Sequence, residues 1–450
     1  FDTVAIDLET SGLSPLDSRL LLCQVGFPDH QYVIDARKVS LTPLIPFLES
    51  NKWTKIFFNG KFDCGFLLHN FNCSVKNIFD CFLAERVLYS DAKGGQSFED
   101  LALKYLGVSL NKAVRKSFYG KSSAEFTEDQ IKYSAEDVQY LFPLMEAQVE
   151  ELSKKDLLHI ARLEFDLVPT VSAMEVTGVP IDKNKWRGIL GEYAQEQSAS
   201  RLKLLSIFFS QNPDTFTSQL GLFEQDDNAL PEGVKELNLG SHLQIKEAFK
   251  RLGINLDKTD ERMLQTINHP AAKELLVYRG LDKIRTSYGE KSFIDKIHPF
   301  TGRIHANWQQ VGTETGRFAC KDPNLQQMPE KFRSCVVAQA GFTIIGADFS
   351  QMELRILAQE SKDPVLMAAF LEGKDVHTAT ASTMFNIPFD KVTKEQRFTA
   401  KCVTGNTLID TSEGLIPIKF LSDFREADTF TDNINLTVFN STKNKTKVDS

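Results

Sequence analysis

The pattern of apolar runs in the first forty residues constrains the fold most. Three strand-type segments, "FDTVAIDLET", "RLLLCQVGF" and "QYVIDA", follow one another with Gly, Pro and Asp between them. Such runs, separated by turn residues, predict an antiparallel start to a mixed sheet. From about Leu41, helical segments alternate with short strands such as "KIFFN". This alternation predicts an α/β layered domain at the beginning of the chain.

The rest of the chain predicts further domains, because 450 residues exceed the size of one ordinary domain. Residues 153–288 show helical periodicity, and residues 300–360 return to strands that include "GRIHANWQQ" and "FTIIGADFS". Helical sequence follows over 353–401, and short strands with Gly turns begin at Cys402. We therefore predict a multidomain α/β and α+β protein.

Composition excludes some protein classes and leaves DNA binding open. The net charge is −8, but a local positive groove matters more for DNA binding than the sum of charges. No apolar run approaches the roughly 18 residues of a membrane span, and the seven Cys include no C-x-x-C pair. We expect a reducing compartment and no membrane partner. Because the chain starts at Phe1 without a signal segment, we expect a fragment of a longer protein.

Two pairs of residues in the first domain have a spacing that suggests chemistry. Asp7 and Glu9 are two residues apart on a strand, so both side chains lie on one face. Two neighbouring carboxylates repel each other unless a cation lies between them. Tyr133 and Asp137 are four residues apart on a predicted helix and share one face. Each pair alone is equally compatible with an ordinary structural role.

Two further aspartates follow apolar strands and begin helices. Asp63 lies in "FFNGKFDCGFLL" and Asp80 in "NIFDCFLAERVL". Either side chain can cap a helix N-terminus, and for Asp80 we prefer that interpretation.

In chain order, these motifs are D-x-E, N-x-x-x-D and Y-x-x-x-D, and together they resemble the DEDDy-type 3′–5′ exonuclease over roughly residues 1–150. The resemblance implies a ribonuclease-H-like fold and a site that holds two Mg²⁺ or Mn²⁺ ions for two-metal phosphoryl transfer. The residues that it makes metal ligands are Asp7, Glu9, Asp63 and Asp137. It also implies that Tyr133 orients the attacking water, and that Leu8 and Asn59 contact the terminal nucleotide.

A second group of motifs lies between residues 312 and 401. "GTETGRFACKDPNLQQMP" contains T-G-R and P-N-L-Q, and "IIGADFSQMELR" places Asp348 at the end of a predicted strand. His377 falls in the first turn of a helix, where a lone His is ordinarily solvent-facing. Arg397 and Lys401 are four residues apart on a helix, which is unfavourable for like charges unless a polyanion lies across them.

This series resembles the palm and fingers of family A DNA polymerases, and the whole resemblance runs from Phe1 to Lys401. It implies that Asp348 ligates metal, that Glu353 is a steric gate against a ribose 2′-OH, and that dNTPs are the substrates. The residues that it places on the incoming triphosphate are His377, Arg397 and Lys401. The residues that it places on DNA are Arg317, Asn324, Gln326 and Gln351. The implied partners are primer-template DNA and single-stranded 3′ ends, with a processivity factor as a further candidate. The implied location is the cytoplasm, at the nucleoid, for a bacterial or phage protein, with an organelle as the alternative.

The resemblance to the polymerase family breaks after Lys401, where "CVTGNTLIDTSEGLIPIKFL" follows. This segment resembles the N-terminal splicing block of an intein. The resemblance implies that Cys402 is the nucleophile that attacks the Lys401 carbonyl. The alternative is an ordinary Cys followed by an unusual family insertion. A T-x-x-H block is not found by Ser450, so the intein is either split, with a C-terminal fragment acting in trans, or cut by the fragment boundary. We expect this chain alone not to polymerise.

The resulting domain prediction has four parts: 1–152, a 3′–5′ exonuclease domain; 153–300, a helical linker and thumb; 301–401, a partial palm and the start of the fingers; and 402–450, a short all-β intein start. Two other functions compete with a polymerase precursor interrupted by an intein. One is a stand-alone 3′–5′ exonuclease with a non-polymerising DNA-binding region, and the other is a non-catalytic scaffold. The steric-gate Glu353 beside Asp348 argues against the first, and the retained carboxylates argue against the second.

Overall fold

The computed structural model describes residues 2–90, 96–110, 114–118, 125–209, 237–362 and 364–401, and four short strands within 408–447. The chain forms two compact units, residues 1–344 and 345–450. None of the helices described is long and apolar enough to cross a membrane.

A five-stranded mixed sheet organises the first part of the chain, as the sequence predicts. Its strands are β1 (Thr3–Thr10), β2 (Leu20–Gly26), β3 (Gln31–Asp35), β4 (Thr54–Phe57) and β5 (Ile78–Asp80). Their spatial order is β3-β2-β1-β4-β5, in which β1, β2 and β3 pair antiparallel and β4 and β5 join in parallel. The longest strand, β1, therefore lies in the centre of the sheet.

Helices pack against this sheet. They are α1 (Ile45–Leu48), α2 (Lys61–Phe71), α3 (Cys81–Leu88), α4 (Phe98–Leu101), α5 (Glu128–Gln139), α6 (Leu141–Lys154) and α7 (Leu158–Thr177). The core between them contains Ile6, Phe57 and Phe66, each with at most 1% of its surface exposed. Burying one such side chain stabilises the fold by about 1.5–3 kcal/mol. The packed core fixes the positions of the strand ends that carry polar residues.

Further helices follow, again as predicted. They are α8 (Lys183–Phe209), α9 (His242–Arg251), α10 (Glu261–Thr266) and α11 (Pro270–Tyr288). Trp186 is fully buried at the base of α8 and stacks on Phe293 with ring centroids 3.8 Å apart. Its indole N–H donates to the carbonyl of Tyr288 at 2.9 Å, so its one polar atom is paired.

Short strands and one short helix complete the first unit. They are β6 (Val179–Pro180), β7 (Arg303–Ile304), β8 (Asn307–Gln309), β9 (Ala319–Lys321) and α12 (Glu330–Arg333). β8 and β9 pair antiparallel, so residues 307–321 form a hairpin.

The strand predicted for "FTIIGADFS" is wrong. Residues 341–349 have no strand assignment, and Phe342, Ile345 and Phe349 are 74%, 86% and 81% exposed. A strand needs a partner for its backbone N–H and C=O groups, however strong its residue preferences. No described strand pairs with this segment, so Asp348 lies on exposed, irregular chain instead of at a strand end.

The second unit is helical over the residues predicted to be so. Its helices are α13 (Met352–Ser361), α14 (Pro364–Leu371), α15 (Val376–Phe385) and α16 (Lys394–Lys401). The strands β10 (Leu408–Thr411), β11 (Gly414–Pro417), β12 (Thr437–Phe439) and β13 (Lys445–Lys447) form a sheet in the order β11-β10-β12-β13. Cys402 lies outside the described residues.

Candidate active site

Three carboxylates meet where β1 and α5 cross. Asp7 and Glu9 project from the same face of β1, and Asp137 comes from α5, which packs on β1, β2 and β3. One oxygen of each carboxylate lies within 4.8 Å of the other two. A capping box between Thr127 and Gln130 begins α5. The packing of α5 on the sheet thus brings together residues that are 130 positions apart in sequence.

Asp63 adds a fourth carboxylate from the first turn of α2. It is 2% exposed, and its Oδ1 atom has no hydrogen-bond partner. Burial and the charge of nearby Asp7 raise the pKa of Asp63 well above its usual range, although backbone N–H groups, including that of Leu8, oppose this. A buried carboxyl group that faces another acid, with one oxygen unpartnered, is costly unless a cation neutralises it.

Tyr133 lies one helical turn before Asp137 on α5 and hydrogen-bonds to it. Burial raises the pKa of the Tyr133 phenol, and the negative charges of Asp137, Glu9 and Asp7 raise it further. The phenol therefore stays protonated near neutral pH, and its O–H remains a donor beside the acidic cluster.

Asp80 is the N-cap of α3, as the sequence predicts. Its carboxylate accepts from the N–H groups of Phe82 and Leu83 at 2.9 and 3.2 Å, and from those of Asn59 and Gly60 at 3.0 and 2.7 Å. Burial nevertheless raises the pKa of Asp80 to about 6. The four bonds fix the loop that holds Asn59, which adopts a left-handed backbone with φ of 58°. Asn tolerates this conformation better than most residues.

A cleft opens over these groups and is lined by residues from several elements. Leu8, Asn59, Asp63, Tyr133 and Asp137 all line it. Residues 307–310 and 312 and Lys321 also line it, although the sequence analysis did not link them to this site. A cleft with clustered carboxylates is suited to cation-assisted chemistry on a phosphorylated substrate.

Gln24 is a second residue that sequence reasoning missed. It lies directly opposite Asp7 in the β1–β2 pairing. It is fully buried, and neither its Nε2 nor its Oε1 atom has a hydrogen-bond partner. The sequence feature that could have identified Gln24 is a single amide side chain inside the apolar run "LLLCQVGF". The structure thus places an unsatisfied polar side chain beside the acidic cluster.

In the second unit, Arg397 and Asp375 form a bidentate pair. The Arg397 Nε and Nη2 atoms donate to Asp375 at 3.0 and 2.8 Å. Asp375 also accepts from the N–H of Thr378 in the first turn of α15 and from the side chain of Gln351. The Arg397 guanidinium holds the pKa of the Asp375 carboxyl well below its usual range. Asp375 thus links the side chain of Arg397 on α16 to the first turn of α15. The sequence analysis did not identify Asp375 as a functional residue.

The other residues predicted for the polymerase site are described next. Asp348 is exposed, and Glu353 lies in the exposed first turn of α13. In the first unit, Asn324 accepts from the N–H of Gln326 at 2.9 Å, and Gln326 donates to the carbonyl of Phe318 at 3.1 Å. Arg317 is exposed beside them.

The last three predicted residues are His377, Lys401 and Cys402. His377 lies in the first turn of α15, as predicted, and is half-buried. Lys401 is described only by its backbone, as the last residue of α16. Cys402 is not among the described residues, so the structure does not place its thiol.

Two family models match this chain. The model described as 3′–5′ exonuclease matches residues 1–153, and the model described as DNA polymerase family A matches residues 209–408. Each matched region is similar to the family that its model describes. The resemblance to an exonuclease-bearing family A polymerase is thereby confirmed at the level of family.

Similar proteins agree with this assignment. DNA polymerase I of Chloroflexus aurantiacus is 29% identical over 89% of this chain and 43% of its own length. DNA polymerase I of Pseudomonas aeruginosa is 30% identical over 82% of this chain and 40% of its own length. The chain therefore spans less than half the length of these two relatives. The POL domain of Pol1 from M. smegmatis, solved in complex with DNA primer-template and dNTP, shares the fold with a TM-score of 0.69. The match covers 88% of this chain and 66% of that one at 22% identity.

Proposed function

We propose that the chain is part of a family A DNA polymerase with a 3′–5′ proofreading exonuclease, whose polymerase region is interrupted after Lys401 by the N-terminal part of an intein. The observation that carries the exonuclease part is the convergence of Asp7, Glu9 and Asp137, with buried Asp63 as the fourth carboxylate. The substrates are single-stranded 3′ ends for the exonuclease and primer-template DNA with dNTPs for the polymerase.

The donor set fits a hard divalent cation. Carboxylate oxygens are the ligands that Mg²⁺ and Mn²⁺ prefer, and the unpartnered Oδ1 of Asp63 supplies an orphaned acceptor in a buried position. Asp7, Glu9, Asp63 and Asp137 would hold two such ions. When bound, the ions would activate a water and neutralise the charge of the leaving 3′ oxygen.

The chain's own residues then orient the substrate. The protonated Tyr133 hydroxyl holds the attacking water, because it is a donor that stays neutral beside the carboxylates. Leu8 contacts the last base through its apolar side chain, and Asn59 contacts the terminal nucleotide. Both residues line the cleft, and the Asp80 carboxylate fixes the Asn59 backbone.

The polymerase part assigns roles in the second unit and in residues 317–326. Asp348 is the metal ligand and Glu353 the steric gate. The triphosphate is held by His377, Arg397 and Lys401, while DNA is contacted by Arg317, Asn324, Gln326 and Gln351. The Asp375–Arg397 pair supports this assignment for Arg397, since it presents the guanidinium in one fixed orientation before the substrate arrives. The triphosphate then competes with Asp375 for that cation.

The intein part rests on sequence. The Cys402 Sγ atom attacks the Lys401 carbonyl carbon, the peptide C–N bond breaks, and the thiol proton passes to the freed Cys402 amine. The products are a thioester and a new α-amino group, so atoms balance without another reactant. Supporting this proposal, the family helix pattern stops at Lys401.

The test of the exonuclease uses a 5′-labelled single-stranded oligonucleotide with Mg²⁺. We expect a ladder of shortened labelled products from the wild-type chain and from Asp29→Ala, and none from Asp7→Ala. Asp29 is the matched control because it is an exposed aspartate outside the cleft. Shortening that survives in Asp7→Ala, or release of the 5′ label as a mononucleotide at the outset, refutes the proposal.

A further inference from the structure

Part of the wall of the exonuclease cleft comes from a distant part of the chain. Residues 307–310 and 312 and Lys321 line the cleft together with Asp7, Glu9 and Asp137. They belong to the β8–β9 hairpin, which lies within the region matched by the family A polymerase model. The cleft is therefore composite, and the exonuclease region alone supplies only part of it.

A half-buried ion pair fixes this hairpin to the exonuclease region. Lys61 of α2 lies 2.8 Å from Glu175 of α7 and also donates to the carbonyl of Trp308 at 2.7 Å. The same Glu175 oxygen accepts from the N–H of Trp308 at 2.6 Å. Both backbone polar groups of Trp308 are thus held by one charged pair, which makes β8 a fixed wall.

Further side-chain bonds hold the two residues that follow this strand. Arg86 of α3 donates through Nε to the carbonyl of Val311 at 3.0 Å. Gln310 donates to the Glu164 carboxylate of α7 at 2.8 Å. These bonds reach from α3 and α7, so the hairpin is positioned by the helices that also support the site.

Two of the three basic side chains that line the cleft are bound to protein groups, and the third forms no ion pair within the described residues. Lys61 is 13% exposed and paired with Glu175, and Arg86 is committed to Val311 and to Gln96 at 2.9 Å. Lys321, at the end of β9, is exposed and forms no ion pair within the described part of the chain. A polyanionic strand that approaches four carboxylates needs a compensating cation at the rim.

We propose that Lys321 binds the phosphate backbone of the single strand entering the exonuclease cleft. It is a substrate-binding residue supplied by the polymerase-family region to the exonuclease site. This inference rests on the proposed exonuclease function and names where that site holds its substrate. A single lysine contact to phosphate strengthens binding without base preference.

The experiment compares the wild-type chain with Lys321→Ala, Lys321→Arg and Lys258→Ala on 5′-labelled oligothymidylate. Lys258 is the matched control, an exposed lysine away from the cleft. For Lys321→Ala we expect KM to rise several-fold with kcat within about twofold. The slope of log(kcat/KM) against log[salt] should fall by about 0.7, the value for one phosphate contact on single strands. Lys321→Arg should restore both. Unchanged KM and salt slope in Lys321→Ala overturn the inference.

A binding measurement separates this inference from the proposed function. Fluorescence anisotropy of a labelled oligothymidylate in EDTA needs no cleavage, and Asp7→Ala serves as the common background. Weaker, less salt-dependent binding on adding Lys321→Ala supports the inference even if the wild-type chain cuts nothing. An active wild-type chain with equal binding by Lys321→Ala and Lys258→Ala leaves the exonuclease standing and refutes the role of Lys321.

Discussion

Replacing Asp63 with Asn should stabilise the metal-free protein while removing its response to divalent cations. Asp63 is 2% exposed, lies against Asp7, and has one unpartnered oxygen. An amide of nearly the same shape keeps an acceptor for the Leu8 N–H, and its NH₂ group can donate where the carboxylate oxygen had no partner. Relieving one unsatisfied buried group contributes about 1–3 kcal/mol. For a domain of 150–250 residues this corresponds to roughly 2–4 °C in Tm per kcal/mol.

The pH dependence gives the sign of the effect. Because the folded-state pKa of Asp63 is raised, the folded protein binds a proton more tightly than the unfolded chain does. The wild-type chain therefore loses stability as pH rises from the ordinary carboxyl range toward the raised pKa, and Asp63→Asn does not. The stabilisation by the variant should be small near pH 4 and larger at pH 7.

The assay is thermal unfolding in EDTA and in 10 mM Mg²⁺ at several pH values. A cation at ten times its Kd stabilises the folded state by about 1.4 kcal/mol, so Mg²⁺ should raise the Tm of the wild-type chain and not that of Asp63→Asn. The matched control is Asp29→Asn, on an exposed loop, which should behave as wild type. A Tm of Asp63→Asn below wild type at pH 7 in EDTA refutes the reasoning.

Three other predictions concern separate parts of the chain. Asp375→Asn removes the bidentate carboxylate that binds Arg397 and weakens the cap of α15. Hydrogen exchange over Val376–Phe385 should therefore become faster, by an amount that corresponds to a loss of about 1–2 kcal/mol of local stability. Exchange no faster than in Asp390→Asn, an exposed control, contradicts this. Hydroxylamine should slowly release the segment after Lys401 from the wild-type chain but not from Cys402→Ala, as gel electrophoresis and mass spectrometry would show; identical fragment patterns would sink the thioester step. Trp186→Ala empties a site packed against Phe293 and should lower the unfolding free energy in urea by about 3–5 kcal/mol, whereas Phe300→Ala, 90% exposed, should change it little.

The parts of the site that follow from local periodicity could be predicted from sequence. Asp7 and Glu9 share a face because a strand has a period of two, and Tyr133 and Asp137 share one because they are a helical turn apart. The N-cap role of Asp80 followed from its place between a strand and a helix. The roles of these residues in catalysis and of Cys402 in splicing remain predictions.

Features that depend on distant packing could not be predicted. Asp375 and Arg397 meet only because α15 and α16 pack together, and Gln24 faces Asp7 only through the β1–β2 register. The β8–β9 hairpin reaches the cleft through side chains from three helices, none of which is near it in sequence. The strand expected for "FTIIGADFS" did not form for the same reason, because strand formation depends on a neighbour that sequence preference does not supply.

Anomalous diffraction from crystals soaked in Mn²⁺ tests the central claim most directly, since it locates cations without relying on activity. The account predicts two manganese peaks among the carboxylates of Asp7, Glu9, Asp63 and Asp137, and their loss or displacement in Asp7→Ala. Crystals saturated with Mn²⁺ that show no peak at these carboxylates contradict the two-cation exonuclease site.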